Sequence, residues 1–276
     1  MACSRNELRS ALGMNLQHQS SDLTGIRPII VRAAFVAAVF CVNSLVVIAA
    51  SNYTGGFAAL WSANASLVFM MMIFPRKEHL FYCTSVLLAS TAVNLQAGFP
   101  LHTSIVFSAS NVLEAILAYH IISKLGLPKT GLYNPTQLVK FVAISVFVSS
   151  VSATTAALGS TGELGNNWIS WFGSDLLGLL IFLPCFNILH ATLTGIERYT
   201  WPKNRHFEFA GVLLLVFAVS AMALVQTVVP LLFLTAIPVF IAVFRFGPLG
   251  GMMSTLIVAI VAEFLTIAGF GPIAGL

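Results

Sequence analysis

Three carboxylates interrupt long apolar stretches of this chain, and they are its best candidates for chemistry. Glu114 follows Asn111-Val112-Leu113, and Asp175 and Glu263 have equally apolar neighbours in the sequence. An ionised carboxylate in hydrocarbon costs at least about 2.5 kcal/mol on insertion scales. An acid that is kept inside a membrane is therefore protonated, bridged by hydrogen-bond donors, or matched by a cation or a cationic ligand.

Two of these acids belong to polar stripes with helical spacing. Asn111 and Glu114 lie three residues apart, and Trp171 and Asp175 lie four residues apart. Residues at these spacings share one face of a helix, and a polar face inside a membrane turns towards the bundle interior. Both stripes therefore indicate helices that present polar groups to one another.

The predicted depths of the polar residues are similar. At a rise of about 1.5 Å per residue, they fall roughly 10 to 16 Å below the outer surface. We therefore expect a ligand-binding cavity that opens to the outside. Its predicted lining residues are Asn64, Asn94, Asn111, Glu114, Trp171, Asp175 and Glu263. The alternative is that asparagines and protonated acids only hydrogen-bond neighbouring helices, which stabilises a membrane bundle by about 1 kcal/mol per pair.

The composition is that of a polytopic membrane protein. The chain has 276 residues, of which 58% are hydrophobic and 8% are charged, and its mean hydropathy is +0.94. In soluble domains about a quarter of the residues are charged. The net charge is +4, and the Lys and Arg residues fall in short loops. This placement indicates that they orient the chain in the membrane rather than bind nucleic acid. The four cysteines and six histidines show no metal-ligand spacing, and no catalytic motif is present, so we expect no metal, no cofactor and no enzyme activity.

Apolar segments of nearly spanning length predict an all-α, polytopic transmembrane helical bundle of about nine helices. A β-barrel would instead show alternation over about ten residues. The predicted helices cover residues 26–50, 57–74, 79–97, 103–124, 136–158, 167–192, 207–226, 228–245 and 248–270.

The basic residues predict the orientation of the chain. Lys and Arg occur in every second loop and are missing from the loops between, which places the amino terminus in the cytoplasm. Residues 1–25 are polar and are expected to form a disordered cytoplasmic tail. With nine helices the segment Gly269–Leu276 falls outside, and its Gly and Pro content predicts a connection to a further helix.

Several segments together resemble a known sensor module. They are Trp61–Ala65, Asn94, Asn111–Ala115, Trp171–Gly178 with Pro184, and Phe244–Pro248. In order and spacing they resemble the first class of bacterial membrane-associated sensor domain, the MASE type, over roughly residues 30–272. The chain departs from that pattern at Ser62-Ala63-Asn64, where the family usually has Pro-Ala-Gly.

The resemblance implies a sensory input domain over residues 26–276, in the bacterial inner membrane. Such domains precede a diguanylate cyclase, a cyclic-di-GMP phosphodiesterase or a histidine kinase, and no such module is visible in this sequence. The expected partners are the lipid bilayer, an unknown small ligand, a cytoplasmic output domain in cis and, by analogy, a second copy, but no nucleic acid. The alternative function is a subunit of a small-solute or ion-coupled transporter, since intramembrane acids also bind coupling ions.

Overall fold

The computed structural model describes residues 27–49, 60–128, 134–159, 164–195, 204–226 and 231–270. Within these ranges it is all-helical, without a β-strand, which confirms the predicted fold class. The α-helices are α1 (Arg27–Ala49), α2 (Ser62–Ile73), α3 (His79–Gln96), α4 (Leu101–Lys124), α5 (Pro135–Gly159), α6 (Leu164–Leu193), α7 (His206–Val225) and α8 (Ala236–Ile267). Short 3-10 segments at Arg76–Glu78 and Leu231–Thr235 precede α3 and α8.

Six segments of this part of the chain are long and apolar enough to cross a membrane. They are Arg27–Ala49, Leu101–Lys124, Pro135–Gly159, Trp168–Leu193, His206–Val225 and Leu231–Thr266. The prediction of about nine helices is not confirmed: the described residues form eight α-helices, and α8 joins parts of the segments predicted at 228–245 and 248–270 across a kink at Gly247. The predicted tail, residues 1–25, and the end of the chain, residues 271–276, lie outside the described residues.

The backbone of α8 is broken at Gly247. This residue has φ 62° and ψ −147°, a conformation that glycine adopts without steric cost, and Pro248 follows it. A Cβ atom on Gly250 would lie only 2.2 Å from the carbonyl oxygen of Ala242. Residues eight positions apart in a straight helix are separated by about 12 Å. The two arms of α8, residues 236–246 and 248–267, therefore fold back on each other at Gly247.

Helix α2 lies in the centre of the bundle. It has 12 residues, and ten of them are buried against neighbours that include α4 and α6. A helix of this length measures about 18 Å, which is shorter than the hydrocarbon core of a bilayer. Within the predicted span at 57–74, residues 62–73 therefore form a short internal helix, and a helix buried on all sides needs no polar face.

A close backbone contact fixes the start of α2 on α6. The amide nitrogen of Trp61 donates to the carbonyl oxygen of Ser174 at 3.1 Å. A Cβ atom on Gly178 would lie 2.0 Å from the carbonyl oxygen of Trp61. The missing side chain at Gly178 therefore lets the two backbones meet, and α2 begins beside the middle of α6.

An ion pair connects α1 to the start of α3. Arg32 donates through Nε and Nη2 to the two carboxylate oxygens of Glu78, at 2.8 and 2.7 Å. The hydroxyl of Tyr82 also donates to Glu78, which is 1% exposed. The Arg32 guanidinium, with help from Tyr82, holds the pKa of Glu78 below its ordinary value of 4.5.

This shift makes the stability of the bundle depend on pH. Since the folded pKa of Glu78 is depressed, its stabilising contribution is complete above its unfolded pKa and is lost as the pH falls through the lower folded pKa. We expect Glu78→Gln to abolish this part of the acid sensitivity. The measurement is the melting temperature in lipid nanodiscs from pH 7 to pH 3; parallel profiles for the wild type and the variant would contradict the expectation.

A buried carboxyl–amide cluster and a separate cavity

Four helices contribute side chains to one buried polar group, which we call the carboxyl–amide cluster. Helix α2 provides one amide, α4 an amide and a carboxyl, α5 two hydroxyls and α6 a carboxyl. All of them are at most 1% exposed: Asn64, Asn111, Glu114, Ser149, Ser152 and Asp175. Buried polar groups destabilise a fold unless they are hydrogen-bonded, so the contribution of this cluster to stability depends on how its groups are paired.

Glu114 is the centre of the cluster. Asn64 donates through Nδ2 to Oε2 of Glu114, and the same nitrogen lies 3.2 Å from Oδ1 of Asn111. The hydroxyl of Ser149 donates to Oε1 of Glu114 at 2.7 Å. The two oxygens of one carboxyl on α4 therefore accept hydrogen bonds from α2 and from α5.

Asp175 is held from α5, and two tryptophans close the cluster. The hydroxyl of Ser152 donates to Oδ2 of Asp175 at 2.8 Å and accepts from Nε1 of Trp171 at 3.0 Å. Nε1 of Trp61 donates to Oδ1 of Asn64 at 3.1 Å. The indole groups thus orient the amide and the hydroxyl that serve the two acids.

The carboxyl groups of Glu114 and Asp175 lie close enough to interact with each other. Two ionised carboxylates at such short range repel, and a proton or another donor between them would remove the repulsion. Among the described residues, no lysine or arginine hydrogen-bonds to either acid. A proton or another donor group at this pair would therefore change the interaction between α4 and α6.

Asn94 lies apart from the cluster. Its Nδ2 donates to Oγ of Ser108 at 3.2 Å and approaches the carbonyl oxygen of Ser104 at 3.5 Å. These bonds join α3 to α4. Asn94 therefore has the role given above as the alternative, a hydrogen bond between neighbouring helices. The prediction that Asn94 shares one site with the two acids does not hold in this structure, because its partners lie one to two turns before Asn111 on α4.

Glu263 also lies apart, in the wall of a cavity between α6 and α8. The cavity has a volume of about 320 Å³, and none of the cluster residues lines it. Oε2 of Glu263 is buried and has no hydrogen-bond partner among the described residues. The seven predicted residues therefore do not line one common chamber: Asn64, Asn111, Glu114, Trp171 and Asp175 come together in a packed cluster, and Glu263 occupies a separate cavity.

Two serines of α5 belong to the cluster although they are not among the predicted site residues. Ser145, Ser149 and Ser152 have the spacing i, i+4, i+7 and share one helix face. Ser149 and Ser152 are the donors to Glu114 and Asp175. A hydroxyl face of this kind, next to helices with buried acids, is the signal that could have identified them.

The comparisons with known proteins agree with the helical architecture. The MASE1 family model matches residues 30–276, which include all eight helices apart from the first three residues of α1. No curated protein and no solved structure matches the chain. Since the match covers most of the sequence and the bundle contains six spans of membrane length, the chain belongs to the MASE1 family of membrane sensor domains.

Proposed function

We propose that this chain is the sensory input domain of a bacterial signal-transduction protein. It lies in the inner membrane with a cytoplasmic amino terminus, detects a ligand from the outer side and regulates a cytoplasmic output, either cyclic-di-GMP turnover or a histidine kinase. The observation that carries the proposal is the position of Glu114, whose carboxyl group contacts side chains from α2, α5 and α6. A change at this one group alters the packing of four helices, and helix shifts of about 1–2 Å are sufficient for switching.

The Glu263 cavity provides a route from a ligand to the cluster. Its lining includes Leu177 on α6, two residues after Asp175, and Leu60, next to Trp61. Trp61 in turn bonds to Ser174 and Asn64. A ligand in this cavity therefore contacts both chain segments that hold the cluster, and its binding energy can favour one packing of these segments.

The chemistry of the cavity favours a ligand with a donor group on an apolar body. Its lining contains no lysine, arginine or histidine, and Oε2 of Glu263 lacks a donor among the described residues. The hydroxyls of Thr235 and Thr266 donate to carbonyl oxygens of their own segments, at 2.7 and 2.8 Å. Their oxygens remain as acceptors, so an ammonium group on a short apolar chain matches the wall.

The ligand chemistry can be tested with primary n-alkylammonium ions as probes. We expect hexylammonium to raise the melting temperature of the chain in nanodiscs and hexanoate to have no effect. Glu263→Gln should weaken hexylammonium binding about tenfold or more, because a hydrogen bond to a charged group contributes about 1.5–3 kcal/mol. Glu208→Gln, which changes an acid outside this cavity, is the matched control. Equal binding by the two variants would contradict this assignment.

The sensory role is separated from transport by a flux measurement. Proteoliposomes that contain the chain and an internal pH dye are given a proton gradient together with hexylammonium. With a sensor domain, the rate of proton leak should equal that of protein-free liposomes given the same hexylammonium. Proton flux that depends on hexylammonium and disappears in Glu114→Gln would overturn the sensory proposal in favour of a proton-coupled transporter.

A further inference from the structure

A second cavity lies at the junction of the Arg76–Glu78 segment with the last turn of α4. Its volume is about 530 Å³, and its wall includes Arg76, His79, Tyr119, His120 and Lys124. No aspartate or glutamate contributes to this wall. The cavity is therefore basic and is distinct from the cluster and from the Glu263 cavity.

The acid nearest to this cavity in the sequence does not neutralise it. Glu78 is buried, and its two oxygens accept from Arg32 and Tyr82. Its charge is therefore matched by Arg32. The guanidinium of Arg76 and the ammonium of Lys124 have no ion-pair partner among the described residues.

The aromatic floor of the cavity holds Arg76 in position. Nε of Arg76 donates to the Tyr119 hydroxyl at 2.7 Å, and its Cζ lies 5.8 Å from the centre of the Tyr119 ring. The ring of His79 packs edge-on against Tyr119 with centroids 4.7 Å apart. Both aromatic residues are buried. The two Nη groups of Arg76 make no hydrogen bond to the described residues, so a fixed guanidinium can offer its outer donors to an anion.

The surroundings of the cavity favour a lipid over a soluble anion. Leu80, next to His79, is 75% exposed, and Leu125, next to Lys124, is 47% exposed. Apolar side chains of this kind contact acyl chains in a membrane, and basic pockets between membrane helices bind phosphate head groups. We propose that the cavity binds the phosphate of an anionic phospholipid between Arg76 and Lys124, with the acyl chains along Leu80 and Leu125.

The experiment measures phosphatidylglycerol bound to the purified full chain by native mass spectrometry, with phosphatidylcholine as the reference lipid. We expect preferential binding of phosphatidylglycerol. The double variant Arg76→Gln/Lys124→Gln should bind it about tenfold more weakly. The control Arg27→Gln/Lys140→Gln removes the same charge from the starts of α1 and α5, outside this cavity, and should retain the preference.

Two further measurements keep the test decisive. Arg76 donates a hydrogen bond to Tyr119, so its replacement also removes a contact within the fold. The single change Lys124→Gln is therefore compared with Lys140→Gln. Both lysines are exposed, and their loss should not unfold the chain. Equal phosphatidylglycerol binding by these two single variants would overturn the proposal. Displacement of the lipid by millimolar inorganic phosphate would also overturn it, because a soluble anion would then be the natural occupant.

Discussion

Replacing Gly178 by alanine will destabilise the bundle by about 3 kcal/mol, at the upper end of what overpacking usually costs. The added Cβ atom would lie 2.0 Å from the carbonyl oxygen of Trp61. This neighbour is a backbone atom and cannot rotate away as a flexible side chain would. The start of α2 must therefore move off α6, which also strains the hydrogen bond from Trp61 to Ser174.

The same helix offers a matched control for this prediction. A Cβ atom on Gly173 meets nothing within 4 Å, so Gly173→Ala introduces no clash. It should leave stability unchanged or raise it by up to about 1 kcal/mol, because alanine is the better helix former. Unfolding of both variants in mixed micelles with increasing dodecyl sulfate measures the difference. If both variants unfold at the same dodecyl sulfate fraction, the packing contact at Gly178 does not support α2.

Replacing Glu114 by alanine should cost about 3 kcal/mol, because it leaves a cavity and removes the acceptor of two buried donors. Asn64 and Ser149 would lose the carboxyl oxygens to which they donate. Asp175 would lose its contact with Glu114 at the same time. We expect the alanine variant to show a strongly lowered melting temperature in nanodiscs.

Glutamine at position 114 separates stability from signalling. Its side chain has nearly the same volume. Its oxygen can accept from Asn64, and its nitrogen can donate to the hydroxyl of Ser149, which then acts as the acceptor, so we expect stability within about 1 kcal/mol of the wild type. Unlike a carboxyl group, it cannot gain or lose a proton. In a protein that joins this chain to the proposed output domain, Glu114→Gln should therefore change the output several-fold, whereas Asn94→Ala, outside the cluster, should not. An alanine variant as stable as the glutamine variant would show that Glu114 does not hold the helices together.

The sequence predicts which faces of the cluster helices carry inward-facing polar groups. The stripes at Asn111 and Glu114 and at Trp171 and Asp175 indicate polar faces turned inward, and the structure brings these residues together. Helical spacing and hydropathy determine which face of a helix is polar. They do not determine which helix packs against that face.

This limit explains the expectations that did not hold. Asn94 lies at a suitable depth, but α3 packs against α4 one to two turns away from the acids, so its amide bonds to Ser108 instead. Glu263 lies in a cavity whose wall includes Leu177 and Ile181 of α6 but no residue of the cluster. The burial of the short helix α2 in the centre of the bundle could also not be predicted from the sequence. An apolar segment buried in protein has the same composition as one exposed to lipid.

The fold-back at Gly247 allows the second arm of α8 to rotate about this residue, which we call the apex. The arms touch near the apex, where Gly250 lies against Ala242, and the Glu263 cavity occupies the space between them towards their far ends. Glu263 is 13 residues beyond Gly250, so it stands about 20 Å along the second arm. A rotation of about 5° at the apex would displace its carboxyl by about 2 Å, which is the size of the helix shifts that accompany switching. A slight rotation at one glycine can therefore open or close the mouth of the cavity while the apex stays packed.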